Sequence, residues 1–147
     1  PILTDARSAS GQISNSIFHG GATSDGVAYK SSFLPSEAID VTASIQPDQA
    51  HVGARATFYV VALLSSGQIL ARNDSGKYTK ISKLSNIPAF SHTDNLQPEE
   101  PFTLINNLKG ESFGVTNLAI SFYVGYSLDS DPSDIFFNGT AISFNIE

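Results

Sequence analysis

Alternating apolar residues in the middle of the chain constrain the fold more than any other feature of the sequence. Between positions 54 and 64 every second residue is apolar, and these side chains would share one face of a β-strand. They are Ala54, Ala56, Phe58, Val60, Ala62 and Leu64. Tyr59, Val61 and Leu63 between them are also apolar, so we expect both faces to be at least partly covered. This segment predicts the central strand of a sheet.

The same alternation recurs elsewhere and predicts further strands. The clear examples are 39–45, 118–126 and 142–146, and the shorter candidates are 12–18, 27–33, 69–71, 78–81 and 102–105. Segment 86–101 is mostly polar and contains three prolines, so we expect a long surface connection there.

Many short strands separated by Gly, Pro, Asn and Ser, with no sustained helical period, favour an all-β fold. We expect a single antiparallel β-sandwich of about eight strands, jelly-roll or Ig-like, with little helix. A chain of 147 residues is long enough for one sizeable core and too short to divide comfortably into two. Residues 1–147 are therefore expected to form one domain.

Charge and composition argue against several kinds of partner. The net charge is −6, and only eight Lys and Arg are available to neutralise phosphates, so we expect neither nucleic acid nor anionic membranes as partners. No run approaches the roughly 20 apolar residues that cross a bilayer, and membrane insertion is not expected. The absence of cysteine excludes disulfides, thiolate metal sites and cysteine nucleophiles.

The composition also bears on location. Ser, Thr, Asn and Gly are abundant while Lys and Glu are scarce, which is typical of an exported β-domain. We expect an extracellular or cell-surface location, with the periplasm as the alternative. Because the sequence begins at Pro1 and contains no methionine, we expect it to be a segment of a longer precursor.

No catalytic motif is evident. His19, His51 and His92 are far apart and lack a zinc-binding spacing, so any zinc site would have to be assembled by the fold. The short Gly-x-Ser-x-Gly run at 110–114 is not by itself a catalytic motif, because that motif needs a strand-to-helix turn and the sequence shows no helical period; there is no phosphate-binding loop. Glu99 and Glu100 are adjacent, so their side chains would diverge instead of facing each other across a glycosidase cleft. We assign no catalytic residue and expect no enzyme; a hydrolase with a fold-assembled site is the enzymatic alternative.

Three aspartates near the C-terminus form a candidate cation site. Asp129, Asp131 and Asp134 supply the carboxylate oxygens that Ca²⁺ prefers, and loops of β-domains often carry such sites. The segment lacks the glycine and terminal glutamate of an EF-hand loop, and Asp-Ser-Asp-Pro is equally typical of an ordinary turn. Calcium is therefore a candidate cofactor, with a plain turn as the alternative.

Aromatic residues offer a candidate ligand site. Carbohydrate-binding sandwiches stack sugar rings on exposed aromatic side chains, and this chain has no tryptophan for that role. Tyr29, Tyr78 and Tyr126 are the candidate platform residues. The alternative is that they belong to the core, where most of the Phe and Tyr residues are expected.

Three runs of sequence resemble a β-sandwich module that recurs in exported and surface proteins of Gram-negative environmental bacteria. They are GGATSDGVAY at 20–29, IQPDQAHVG at 45–53 leading into FYVV at 58–61, and YVGY at 123–126. The resemblance implies an exported, non-enzymatic spacer, adhesive unit or appendage, and it supplies no catalytic residue. Where that module has a tryptophan after the turn at Gly76, this chain has Tyr78.

These observations predict a non-enzymatic exported structural or adhesive interaction module. Such a module could bind a protein partner, or could assemble with copies of itself by strand addition at an unpaired sheet edge. A carbohydrate-binding module is the first alternative.

Overall fold

The computed structural model describes residues 2–3, 6–8, 10–11, 14–83, 87–114 and 116–147, and regular structure there consists of strands with two short 3-10 segments. In chain order the strands are β1 (Ile2–Leu3), β2 (Arg7–Ser8), β3 (Ile17–Thr23), β4 (Ser32–Phe33), β5 (Ala38–Gln46), β6 (Ala56–Leu64), β7 (Ile69–Arg72), β8 (Tyr78–Ile81), β9 (Ser91–Thr93), β10 (Glu100–Lys109), β11 (Leu118–Leu128), β12 (Asp131–Phe137) and β13 (Ile142–Ile146). The 3-10 segments are Gln49–His51 and Gly110–Phe113. The predicted all-β class is confirmed.

The strands form two sheets. Sheet A has the order β1-β3-β5-β10, and all of its pairs are antiparallel. Sheet B has the order β2-β12-β11-β6-β7-β8, with β13 beside β11, β9 beside β6, and β4 joined to β13 in parallel. The predicted antiparallel pairing therefore holds for both sheets, with β4–β13 as an exception.

Two long strands organise sheet B. The first half of β11 pairs with β13 and its second half with β12 on the same edge, while β6 occupies the other edge. β6 similarly pairs with β9 near its start and with β7 near its end. Each long strand thus accommodates two short partners along one edge.

Side chains from both sheets form one hydrophobic cluster. Most of the predicted inward faces of the four main strands are buried, because every second residue points the same way from a strand, whereas Ala54, Leu64 and Leu118 are half-buried. The buried residues are Ile39, Val41, Ala43 and Ile45 of β5, Ala56, Phe58, Val60 and Ala62 of β6, Ile120, Phe122, Val124 and Tyr126 of β11, and Ile142, Phe144 and Ile146 of β13.

The expected number of strands was wrong. The described residues contain thirteen strand segments, and four of them (β1, β2, β4 and β9) have only two or three residues. Segments this short cannot show an alternating pattern, which needs at least about four residues.

Two expected connections also contain strands. The predicted surface connection at 86–101 includes β9, and Leu96 within it is fully buried. The predicted turn at 129–134 is a turn only at Asp129 and Ser130, since β12 begins at Asp131. Candidate 12–18 overlaps only the start of β3, and its residues 12 and 13 lie outside the described part of the chain.

Candidate functional site

A shallow groove lies on the outer face of sheet A. It has a volume of about 410 Å³. Its main lining side chains are those of His19, Tyr29, Thr42, Ser44, Pro101 and Thr103, and we call it the Tyr29 groove. Strand register brings these residues together: His19, Ser44 and Pro101 form one row across the sheet, and Gly21, Thr42 and Thr103 form the next.

Tyr29 is held at this groove by a compact loop. The loop closes because Lys30 N donates to Ala22 O at 3.0 Å and Tyr29 forms an isolated bridge with Thr23. Inside it, the Asp25 carboxylate accepts hydrogen bonds from the backbone amides of Val27 and Ala28 at 2.8 and 2.9 Å. The Ala28 and Val27 bonds are the main reasons that the pKa of Asp25 falls to about 2.

Gly21 makes room for the aromatic ring of Tyr29. A β-carbon at position 21 would lie 2.5 Å from Tyr29 Cδ1, closer than two carbon atoms can approach. The ring therefore packs on the sheet backbone, and 53% of the Tyr29 surface remains exposed. The run at 20–29 thus fixes one exposed aromatic side chain on a flat polar surface.

The polar groups beside Tyr29 are available to a ligand. Thr42 and Thr103 are exposed, and His19 and Ser44 are half-buried. Among the described residues, their side chains and the Tyr29 hydroxyl have no hydrogen-bond partner. The groove therefore offers one aromatic ring, one imidazole and several free hydroxyls.

A second groove lies on the outer face of sheet B. It has a volume of about 620 Å³, and we call it the sheet B groove. Its lining side chains include Arg7, Tyr59, Val61, Leu63, Ile87, Tyr123, Ile135 and Phe137. The sequence indicated part of this surface, because the outward residues of β6 are apolar.

Two histidines take part in polar clusters. His92 Nδ1 lies 3.0 Å from Thr57 Oγ1, and its Nε2 lies 3.0 Å from Asp129 Oδ2. Thr57 also donates to Asp129 Oδ1 at 3.3 Å, so the three side chains form a closed ring of contacts. Thr57 is buried and its hydroxyl is engaged by both neighbours, so this cluster is suited to tying β6, β9 and the β11–β12 turn together.

His51 belongs to a separate cluster at the edge of the core. Its Nδ1 lies 2.8 Å from the Tyr126 hydroxyl, which also lies 2.8 Å from Ser16 Oγ. Burial raises the pKa of Tyr126, as expected for a phenol held among core side chains. These contacts satisfy the hydroxyl of a tyrosine that has no exposed surface.

The three candidate tyrosines lie in different environments. Tyr29 is exposed, whereas Tyr126 is fully buried and cannot stack on a ligand in this structure. Tyr78 is half-buried; its hydroxyl donates to Leu104 O at 2.7 Å, and burial raises its pKa to about 12. Of the three, Tyr29 alone lies at a groove described above.

The three candidate calcium ligands each have another contact. Asp129 binds Thr57 and His92, Asp131 accepts from Ser133 Oγ at 3.2 Å, and Asp134 accepts from Ser10 N at 3.0 Å. Asp134 is buried while the other two are exposed. Within the described part of the chain, no three or more His, Cys, Asp or Glu side chains are grouped so that they could hold a metal ion.

Sequence reasoning missed most of the groove residues. His19 was considered only as a metal ligand, and Thr42, Ser44 and Thr103 carry no motif. These residues become neighbours through strand register, and a single sequence does not show which register two strands adopt. Arg7 and Gly125 at the sheet B groove were missed for the same reason.

Comparisons with protein-family models, with curated proteins and with solved structures found no match to this chain. Within the residues described, no helix has the length and apolar character needed to cross a membrane.

Proposed function

We propose that this chain is a non-enzymatic adhesive module of an exported protein, and that it attaches to carbohydrate through the Tyr29 groove. The observation that carries the proposal is the exposed Tyr29 ring, packed on Gly21 beside free hydroxyl groups. Sugar rings present an apolar C–H face and a rim of hydroxyls. An aromatic face with neighbouring hydrogen-bonding groups complements both.

The architecture we propose for this module is a β-sandwich formed as one domain over 1–147. The support is that sheets A and B share one hydrophobic cluster, from Leu3 to Ile146. Two sheets packed on a common core leave their outer faces open for binding. The proposed export rests on composition and on the resemblance of the runs described above.

Self-assembly is the second candidate, and the sheet edges bear on how it could occur. β10 lies at the end of sheet A, where an added strand would need its main-chain groups. Two carbonyls of β10 are already occupied, since Arg72 donates to Thr103 O at 2.6 Å and Tyr78 donates to Leu104 O. Pro132 similarly removes a donor from β12. These features favour binding through a sheet face over strand addition.

A glycan array with the wild-type chain tests the carbohydrate proposal, followed by titration calorimetry on the best ligand. We expect Tyr29→Ala to weaken binding about tenfold or more, because the stacked ring buries apolar surface. Val27→Ala is the matched control, since Val27 lies on the same loop and is 85% exposed. It should bind as the wild type does.

Two outcomes would contradict the proposal. One is a wild-type chain that binds no glycan on the array. The other is a Tyr29→Ala variant that folds and retains full affinity. If light scattering instead shows stable oligomers, the self-assembly candidate takes precedence.

A further inference from the structure

The sheet B groove has an apolar floor and walls. Arg7, Phe137, Gly125 and Tyr59 form one row across four adjacent strands, because each is in register with the next. Adjacent strands are about 4.8 Å apart, so the row extends roughly 14 Å. At Gly125 there is no side chain, and the row dips between the flanking aromatic residues.

A side chain at position 125 cannot fill the groove, because there is no room for a β-carbon there. A β-carbon there would lie 2.7 Å from Phe136 O and 3.0 Å from Ile135 Cγ2, so glycine is required. Tyr123 and Phe137 contact each other edge to face, with ring centres 6.5 Å apart, and so form a fixed wall. The groove is therefore a preformed apolar channel.

Few of the residues that line the channel carry a polar side chain. The Tyr59 hydroxyl lies 3.4 Å from Ser127 Oγ. Arg7 is the charged residue among those that line the channel, and it lies at one end of the row. Among the described residues, its guanidinium has no ion-pair or hydrogen-bond partner, although the chain carries a net charge of −6.

We propose that the sheet B groove binds a fatty carboxylate, with the hydrocarbon chain in the apolar channel and the carboxylate on Arg7. A guanidinium recognises a carboxylate with two parallel hydrogen bonds, which fixes the orientation of the ligand. The volume of about 620 Å³ lies within the range of small-molecule sites. This site is on the opposite sheet from the Tyr29 groove and does not depend on the function proposed there.

Calorimetry with dodecanoate and with dodecanol, both below their aggregation concentrations, tests the proposal on the full chain. The two ligands share a hydrocarbon chain and differ in charge. We expect dodecanoate to bind about tenfold tighter or more, a difference of about 1.4 kcal/mol or more, because the carboxylate can form an ion pair with Arg7 and the alcohol cannot. Arg7→Gln should bring the two affinities close together by weakening dodecanoate alone.

Two controls separate this site from general adsorption. Lys80→Gln removes a positive charge from an exposed position on β8 and should leave the preference for dodecanoate unchanged. Tyr29→Ala should also leave it unchanged, so failure of the carbohydrate proposal would not affect this test. Methyl NMR should show shifts at Val61, Leu63, Ile87 and Ile135 on addition of dodecanoate.

Several results would overturn the proposal. They are equal affinities of the wild type for the two ligands, an unchanged preference in Arg7→Gln, or shifts confined to other methyl groups. A stable wild-type dimer that buries these methyls would also overturn it, because the occupant of the groove would then be a second copy of the chain.

Discussion

Glu37 ties the loop that carries Tyr29 to the segment before β5. Its carboxylate accepts hydrogen bonds from Leu34 N and from the Ser24 hydroxyl, each at 2.9 Å, and forms an ion pair with Lys30. The Leu34 bond, followed by the contacts with Lys30 and Ser24, lowers the pKa of Glu37 from 4.5 to about 2. The Glu37 and Asp25 carboxylates both accept hydrogen bonds within this loop, so the geometry of the loop depends on both groups being ionised.

Glu37→Gln should make stability less sensitive to acid. A carboxyl whose pKa is lowered on folding stabilises the folded state when ionised, so its contribution is present above pH 4.5 and is lost as the pH falls towards 2. We expect the variant to have a lower Tm than the wild type at pH 7 and a smaller decrease between pH 5 and about 2. Calorimetry across this range measures how Tm changes with pH in the wild type and in the variant.

The control is Asp74→Asn, which changes an exposed carboxyl in the turn before β8. This variant should show the same change of Tm with pH as the wild type. A Glu37→Gln variant with the same slope as the wild type would show that Glu37 does not stabilise the fold in this way. Asp25 titrates over a similar window, so some acid sensitivity should remain in the variant.

At the scale of single elements, β3 contains two adjacent glycines with different neighbours. A β-carbon at Gly20 would meet Ile142 Cδ1 at 2.4 Å in the core, whereas one at Gly21 would meet the exposed ring of Tyr29. The core is close-packed and resists a shift, while an exposed ring can move aside. The two glycines should therefore respond differently to the same substitution.

Gly21→Ala should displace Tyr29 and impair binding with little loss of stability. Gly20→Ala, the matched control, should cost about 1–3 kcal/mol because the added carbon overpacks the core. In a double-mutant cycle, Tyr29→Ala should remove any loss in free energy of unfolding that Gly21→Ala causes. It should leave the loss caused by Gly20→Ala unchanged. Denaturant unfolding gives these energies, and a Gly21→Ala cost that persists without Tyr29 would contradict the packing described here.

The main strands were predictable because the residues that face the core alternate along each of them with residues that face outward. In β5 the pattern Ile39, Val41, Ala43 and Ile45 matches the buried face residue for residue. β12 was not predicted, because it begins with Asp131 and Pro132, which are typical of a turn, and its buried positions include Asp134. There the pairing of β12 with β11, together with the hydrogen bond that Asp134 accepts from Ser10 N, outweighs the local preference.

The candidate site was predictable only at Tyr29. Its position depends on the glycines and the Asp25 loop, which are contiguous in sequence and therefore visible as a motif. His19, Thr42 and Thr103 come from three strands and meet through pairing register, which depends on the whole sheet. A single sequence shows that these residues are polar and does not show that they are neighbours.

At the scale of the whole molecule, sheets A and B are linked in the middle of β10 by side chains from sheet B. Arg72 reaches Thr103 O, and its guanidinium lies 4.6 Å from the centre of the Phe90 ring. Tyr78 reaches Leu104 O from the neighbouring strand β8. These contacts hold two main-chain acceptors that an incoming strand would otherwise pair with, so they join the sheets and protect an edge at once.

Removing both donors should therefore promote association of the chain with itself. The Arg72→Ala, Tyr78→Phe double variant frees two backbone carbonyls, each worth about 0.5–1.5 kcal/mol in a new hydrogen bond, so oligomers should form at a concentration about tenfold or more below that of the wild type. Because main-chain pairing involves no net charge, the association should persist at high salt.

Arg55→Ala, which removes an exposed arginine paired with Asp94, is the charge-matched control and should behave as the wild type. Light scattering across concentration and salt measures this; a double variant that folds and stays monomeric at every concentration would show that β10 is protected by its shape rather than by these two side chains.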